Sequence, residues 1–430
     1  MPTDARRCAY AVMRRVFEQG AYADRAFRAE ADRLGLEGRD RAFAMQLAYG
    51  AVQRRATLDH VIEALSDRTT ERIDPPVLAA LRLGVHQLLF MDGVADHAAV
   101  AESVDLAKAA GSRGHGFVNA VLRRATREGR AILDALGEST PAQAALRHSH
   151  PLWVAEAWWQ QLGADAAVDL MRADNTPAES AVRVNSLRAT REDVLAELAA
   201  AGVAARPAPE LPEGIVLEHP YDVHRSEAFG RGALMPQSRA SMLVARAVDP
   251  RPGERVLDLC AAPGAKTTHL AALMGDEGEV VAVERDPRRA ASLRANAGRL
   301  GASSVRVMVG DAAGAEYGTG YDRVLVDPPC SDLGTLQSRP DARWRKTPEQ
   351  VQQLRRLQGR ILAAGAAAVR PGGRLVYSTC TISAPENYLQ MEHFLGHHPE
   401  FDPSPGGFVQ TLPHRDRTDG FFIAALERHG

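Results

Sequence analysis

Val256–Lys266 reads VLDLCAAPGAK. Val256, Leu257 and Leu259 make a short apolar run, Pro263 and Gly264 make a turn, and THLAALM then resumes with helical spacing. The pattern predicts a strand, a tight loop and a helix. A loop of this kind at the carboxyl end of a parallel strand leaves backbone N–H groups facing a crevice, where open α/β sheets take their ligands. Cys260, Ala261, Ala262, Pro263, Gly264, Ala265 and Lys266 are therefore expected to form a cofactor loop.

The neighbouring residues restrict the cofactor. A phosphate-cradling loop needs a glycine directly before the lysine, and Ala265 stands there. A dinucleotide fingerprint needs three glycines, and only Gly264 is present. Glu284, at the end of the next apolar run (EVVAVERD), fits an acceptor for ribose hydroxyls. Asp311 ends a third run in VMVGDA and supplies a second carboxylate, where an adenine amino group could donate. Either carboxylate alone is an ordinary strand-end residue. Together with the loop they favour S-adenosylmethionine, which carries an adenosyl group and needs no phosphate cradle.

Further strands are expected near Arg255–Leu259, Glu279–Glu284, Val305–Val309, Arg323–Val326 and Arg374–Ser378, with helices between most of them. Residues 236–430 thus read as a Rossmann-like α/β core. Residues 146–235 read as a small α+β unit, with a strand at Arg183–Leu187, a helix at Thr190–Ala201 and a Pro-rich loop at Arg206–Pro212. Trp153, Trp158 and Trp159, at helical spacing, are expected as core anchors. Residues 1–138 read as all-α, with helices at Ala5–Glu18, Arg39–Glu63, Val77–Phe90, Ala98–Ala110 and Gly116–Arg127. Asp74 before Pro75 and Pro76 reads as a helix cap, and His86 and His97 as core or surface residues.

The 430 residues, 45% of them apolar, are ample for two or three buried cores. No charged-then-apolar leader or membrane-spanning run is visible, so a cytoplasmic protein without a membrane partner is expected. The four cysteines, Cys8, Cys260, Cys330 and Cys380, show no CxxC spacing, and neither a disulfide framework nor a metal site is indicated. A net charge of −2 advertises no nucleic-acid partner. Locally, Arg339–Arg360 carries seven basic residues around Trp344 against Asp341 and Glu349. Such a segment could hold phosphates and stack a base, or could be a solvated helix face.

The chemistry concentrates in two strings. LVDPPCSDLG, Leu325–Gly334, ends the fourth strand, and its two prolines hold Asp327 and Cys330 in an extended turn. Amino-methylating enzymes usually carry an aromatic residue where Cys330 stands. VYSTCT then delivers Cys380 at the end of the fifth strand. Two thiols at the mouth of one sheet suit methylation of a pyrimidine carbon. A thiolate adding at C6 makes C5 nucleophilic toward a sulfonium methyl, and a second thiol could assist loss of the C5 proton. The base must be unstacked for this, which favours RNA loops or flipped nucleotides. The residues themselves do not rank one thiol above the other as nucleophile.

CAAPGAKT (Cys260–Thr267), DPPCS (Asp327–Ser331) and YSTCTISAPEN (Tyr377–Asn387) resemble successive motifs of the NOL1/NOP2/Sun family of RNA 5-methylcytosine methyltransferases. GFVNAVLRR (Gly116–Arg124), with the helices before it, resembles a NusB-type RNA-binding domain. The whole chain is similar to the branch of the family acting on bacterial small-subunit (16S) ribosomal RNA, of the RsmB type. The resemblance implies Cys380 as the nucleophile and Cys330 as the residue assisting proton removal and release. It also implies the cofactor loop at Cys260–Lys266, Glu284 on the ribose, Asp311 on the adenine side and Asp327 between cofactor and base. Ala265 and SDLGT depart from the family's usual second glycine and SGTG. The expectation is a monomeric, S-adenosylmethionine-dependent enzyme acting on RNA rather than DNA. The competing readings are a non-catalytic RNA-binding or antitermination module, which would not need the thiols or carboxylates, and an amino-group methyltransferase on RNA or protein, which Cys330 disfavours.

Overall fold

The computed structural model describes residues 1–314 and 316–430. They form two compact units, Met1–Pro177 with Leu336–Arg345, and Ala178–Thr335 with Lys346–Gly430.

The first unit is helical, and an apolar core including Leu47, Leu58, Ile62 and Leu81 runs through its helices from Asp4 to Asp134. Its helices follow the apolar spacing, with two differences from expectation. The run expected as one helix over Arg39–Glu63 is two, Gly38–Gln53 and Arg55–Ser66. Arg54 leaves helical geometry between them (ψ 15°) and stacks its guanidinium on the Phe90 ring at 4.2 Å. The apolar period continues on both sides of the break, so spacing alone did not reveal it. Ala23–Arg33 is an additional helix, short and rich in charge. Asp74 does precede the helix Pro75–Phe90, but its side chain makes no capping bond, and the proline ring presets the first turn instead. His86 is a core residue; burial, then the nearby Arg54 charge, pushes its imidazole down to about 3. His97 is exposed. Of the three expected anchors only Trp158 is fully buried, Trp153 and Trp159 being half-covered.

The segment Leu336–Arg345 corrects the reading of the basic stretch. Arg343 is wholly buried in this helical unit and donates to Ser149 O at 3.1 Å, Asp174 O at 3.0 Å and Asn175 Oδ1 at 3.0 Å. Trp344 packs on the helical core and donates Nε1–H to Val52 O at 2.8 Å. Arg345 donates to Gly20 O at 3.0 Å and also to Ala21 O. Arg343, Trp344 and Arg345 thus tie this segment into the helical unit. Replacing Arg343 by Met is expected to lower the stability of this unit by about 1–3 kcal/mol, because buried carbonyls lose their donors; urea unfolding of the full chain would measure it.

The second unit holds two sheets. The smaller is antiparallel, in the order Ala205–Pro207, Gly214–Leu217, Ser180–Val184, Leu234–Pro236. The strand expected at Arg183–Leu187 ends at Val184. Asn185 Nδ2 donates to Gly232 O at 2.9 Å and Leu300 O at 2.7 Å, drawing the chain out of the ladder. Part of the expected Pro-rich loop is an edge strand, where Pro207 costs no ladder bond to an outer neighbour. The helix Arg191–Ala200 begins at Thr190, which caps it reciprocally with Asp193.

The larger sheet has eight strands, with parallel strands at Arg255–Leu259, Glu279–Glu284, Val305–Val309, Tyr321–Val326 and Val369–Thr379. Arg255–Leu259 lies between Glu279–Glu284 and Tyr321–Val326, so the strand order reverses beside it. Phe422–Arg428, not anticipated from the sequence, pairs antiparallel with Val369–Thr379. Its near-continuous apolar run carries no period that separates strand from helix. Val256, Leu257, Val281, Val324 and Tyr377 are wholly buried between the layers, which makes the architecture a Rossmann-like α/β fold.

Candidate active site

The crevice opens where the strand order reverses, and the loop after Arg255–Leu259 frames it. Cys260 (φ 68°) and Gly264 (φ 101°) both adopt left-handed backbone. At Gly264 a Cβ would also fall 2.4 Å from Leu293 Cδ1, so glycine is required on two counts. Ala261 N–H donates to Val283 O at 2.9 Å, Arg289 donates to Ala262 O at 2.7 Å, and Asn296 to Pro263 O at 2.9 Å. The helix Ala265–Leu273 follows, with Thr267 donating to Asp258 Oδ2 at 2.6 Å. Arg183, on the small sheet and wholly buried, reaches the first turn of this helix through Thr268 Oγ1 at 3.0 Å and is held by Gln237 Oε1 at 2.8 Å. The sequence reading found no chemistry in that small sheet; Arg183 is its contribution to the loop.

A cavity of ≈ 650 Å³ lies against this loop, lined among others by Cys260, Glu284, Arg289, Asp311, Pro329 and Ile361. Glu284 is almost fully buried and accepts Asp286 N–H through Oε1 at 2.9 Å. Its Oε2 accepts no hydrogen bond and lies 3.5 Å from Arg289 Nη1. A buried carboxylate oxygen left without a donor fits a ligand that brings hydroxyls, such as a ribose. Asp311 is exposed at the rim. Ala261–Ala265 frame the loop without lining this cavity.

Lys266 and Asp327 meet each other: Nζ to Oδ2 is 2.8 Å, and Ser378 donates to Asp327 Oδ1 at 2.9 Å. Burial alone would depress the Lys266 ammonium, but the Asp327 carboxylate outweighs it and the pKa is raised. The two expected thiols converge. Cys330 Sγ and Cys380 Sγ are 3.3 Å apart, and Cys380 donates to Asp332 Oδ1 at 3.3 Å. Cys260 takes no part: burial first, then the Asp327 and Asp258 charges, push its thiol far up, so it stays protonated. Cys8 is likewise pushed up to about 11, chiefly by burial, inside the helical unit.

A buried polar cluster holds the two thiol loops together. Glu386, with no exposed surface, accepts Ser331 N–H at 2.9 Å, Ser331 Oγ–H at 2.5 Å and Gln358 Nε2–H at 2.9 Å. Ser331 Oγ also lies 2.6 Å from Thr381 Oγ1, and Tyr377 OH donates to Glu386 O at 2.8 Å. Burial raises the Glu386 pKa despite these donors. Gly334 N–H donates to Cys380 O at 3.0 Å, and a Cβ on Gly334 would stand 1.8 Å from Gly420 O, so the backbones touch there. Ser331, Glu386 and Asn387 lay within quoted motifs without being singled out; their signal was polar residues flanking both cysteines.

Residues 245–427 match the family described as 16S rRNA methyltransferase RsmB/F, residues 3–127 the NusB family, and residues 150–224 an RsmF/B-like ferredoxin-like domain. The chain is 36% identical to a probable ribosomal RNA small subunit methyltransferase B of Synechocystis sp., over 99% of each chain. It is 33% identical to the protein of the same description in Bacillus subtilis, over 100% of this chain and 99% of that one. The chain belongs to the ribosomal RNA small subunit methyltransferase B family. A crystal structure described as PH0851 superposes on it with a TM-score of 0.86, at 29% identity over 100% of this chain and 99% of the other. This member of the methyltransferase B family is thus a ribosomal RNA methyltransferase, with its thiol pair on the methyltransferase sheet. Among its described residues no helix is long and apolar enough to cross a membrane.

Proposed function

We propose that this enzyme transfers the methyl group of S-adenosylmethionine to C5 of a cytosine in small-subunit (16S) ribosomal RNA, as a monomer in the cytoplasm. The observation that carries the reading is the thiol pair 3.3 Å apart, one of its members directly following Pro329, which lines the cavity where the buried Glu284 Oε2 lacks a donor. Cys380 attacks C6 of the unstacked cytosine, so that C5 becomes the nucleophile. Cys330 assists removal of the C5 proton and departure of the Cys380 sulfur. The cofactor, when bound, supplies the electrophilic methyl. Cys260–Lys266 hold it, with Glu284 on the ribose, Asp311 on the adenine side and Asp327, fixed by Lys266 and Ser378, between cofactor and base. We further propose three working parts: a NusB-like helical RNA-binding domain over residues 1–138, a small RNA-binding subdomain over 146–235 and the methyltransferase core over 236–430.

The test is incubation of the purified protein with radiolabelled S-adenosylmethionine and unmethylated small-subunit ribosomal RNA, followed by nucleoside analysis. Label in 5-methylcytidine is the expected result, and label in another nucleoside overturns the two-thiol reading. Glu284→Gln is expected to weaken cofactor binding roughly 10- to 100-fold, the value of a hydrogen bond to a charged acceptor. Isothermal titration with S-adenosylmethionine reads it directly, and unchanged affinity would remove Glu284 from the site.

A further inference from the structure

We infer that Asp332 is a further catalytic residue, the acceptor of the Cys380 proton as its sulfur attacks the base. The inference rests on the proposed attack by Cys380. A thiol is a weak nucleophile until its proton leaves, and Cys380 already points that proton at a carboxylate. Asp327 is engaged by Lys266 at 2.8 Å and Ser378 at 2.9 Å. Glu386 is filled by Ser331 and Gln358. Cys330, at 3.3 Å, is itself a thiol. Asp332 Oδ1 already accepts from Cys380 Sγ at 3.3 Å, and the sulfur atoms and the carboxylate oxygen lie within 4.8 Å of one another.

The backbone fixes this contact from both sides. Asp332 sits in left-handed geometry (φ 61°), which aspartate tolerates better than most residues. Its carbonyl accepts Thr335 N–H at 3.1 Å and Thr335 Oγ–H at 3.0 Å. Gly334 N–H, two residues on, holds the carbonyl of Cys380 itself. Donor and acceptor therefore sit on two loops tied to each other by a backbone hydrogen bond.

The atoms balance as follows. The S–H bond of Cys380 breaks, its proton passes to Asp332 Oδ1, and the sulfur electron pair forms the S–C6 bond. The C5=C6 pair forms the bond from C5 to the methyl group as the cofactor's sulfonium–methyl bond breaks toward sulfur. The C5–H bond then breaks, its electron pair restores C5=C6 and expels the Cys380 sulfur, and the proton leaves to solvent by way of Cys330, which gives up its own proton as it takes this one; the Cys380 sulfur recovers its proton from Asp332. The transfer is coupled to attack: Asp332 receives the proton as the S–C6 bond forms.

That coupling separates a base from a structural residue. In Asp332→Asn the rate of single-turnover methyl transfer should fall roughly 10²-fold or more at pH 7. It should then rise with pH about tenfold per unit toward the thiol pKa, because only preformed thiolate reacts, while the wild-type rate stays flat over the same range. The charges that face Cys380 are the Lys266–Asp327 pair, with the uncharged Cys330 thiol beside it. Alkylation of Cys380 by iodoacetamide should be as fast as in the wild type or faster, since a neighbouring negative charge has gone. Unchanged S-adenosylmethionine binding establishes that the variant is folded. A wild-type rate and profile, or a loss without the pH-dependent recovery, would overturn the assignment. Wild-type label outside 5-methylcytidine would instead sink the proposed reaction, whatever Asp332→Asn does.

Discussion

Cys380→Ala is expected to abolish methyl transfer, by at least about 10³-fold, while S-adenosylmethionine binding stays within about twofold of the wild type. In the proposed reaction the thiol acts on the base and not on the sulfonium, so cofactor affinity has no reason to move. Cys330→Ala should behave differently. Attack can proceed with Cys380 intact, but removal of the C5 proton and release stall, and a covalent protein–RNA adduct accumulates as a slow band on a denaturing gel. The double variant should show no adduct. Adduct from Cys380→Ala but not from Cys330→Ala would exchange the two roles, which the 3.3 Å separation does not distinguish by itself. Loss of cofactor affinity in Cys380→Ala would mark a structural thiol. Cys260 and Cys8, both held protonated by burial, serve as internal controls for nonspecific adducts.

What could be read from the sequence was what local pattern encodes. The five parallel strands, the loop at Pro263–Gly264 and the placement of Glu284, Cys330 and Cys380 at strand ends follow from apolar runs and the turns after them. Arg343 shows the limit. In sequence it belongs to a basic stretch that could bind RNA, and its charge says nothing about direction. In the fold it donates to Ser149, Asp174 and Asn175, contacts that span more than 160 residues of chain. Arg183 was missed for the same reason, since its partner Thr268 is brought to it only by tertiary packing. Glu386 lay beside a quoted cysteine, yet its value as a clamp depends on Ser331 from another strand end. Long-range pairing of polar groups leaves no periodicity to read.

Asp258 carries the largest expected effect on stability. It lies under the Cys260–Lys266 loop, essentially unexposed, with Thr267 donating to Oδ2 at 2.6 Å and Oδ1 without a partner. Burial, against the Thr267 hydrogen bond and with the Asp327 charge adding to it, pushes the carboxyl up to about 7 from an ordinary 3.8. The folded chain therefore holds a proton here that the unfolded chain has already lost between those two pH values. The sign follows: the contribution is fully present below about pH 4 and is lost as pH rises through 7. Three pKa units correspond to roughly 4 kcal/mol. Asp258→Asn, which stays neutral at every pH, should escape this loss. Urea unfolding at pH 5 and pH 8.5 should show the variant gaining on the wild type by a few kcal/mol toward the alkaline side. The same ionisation would pull on Thr267 at the start of the helix that follows the cofactor loop, so wild-type cofactor affinity should weaken over that range more than the variant's. Parallel stability curves for the two proteins would mean that Asp258 is already ionised at neutral pH, with its charge met by groups around Lys266.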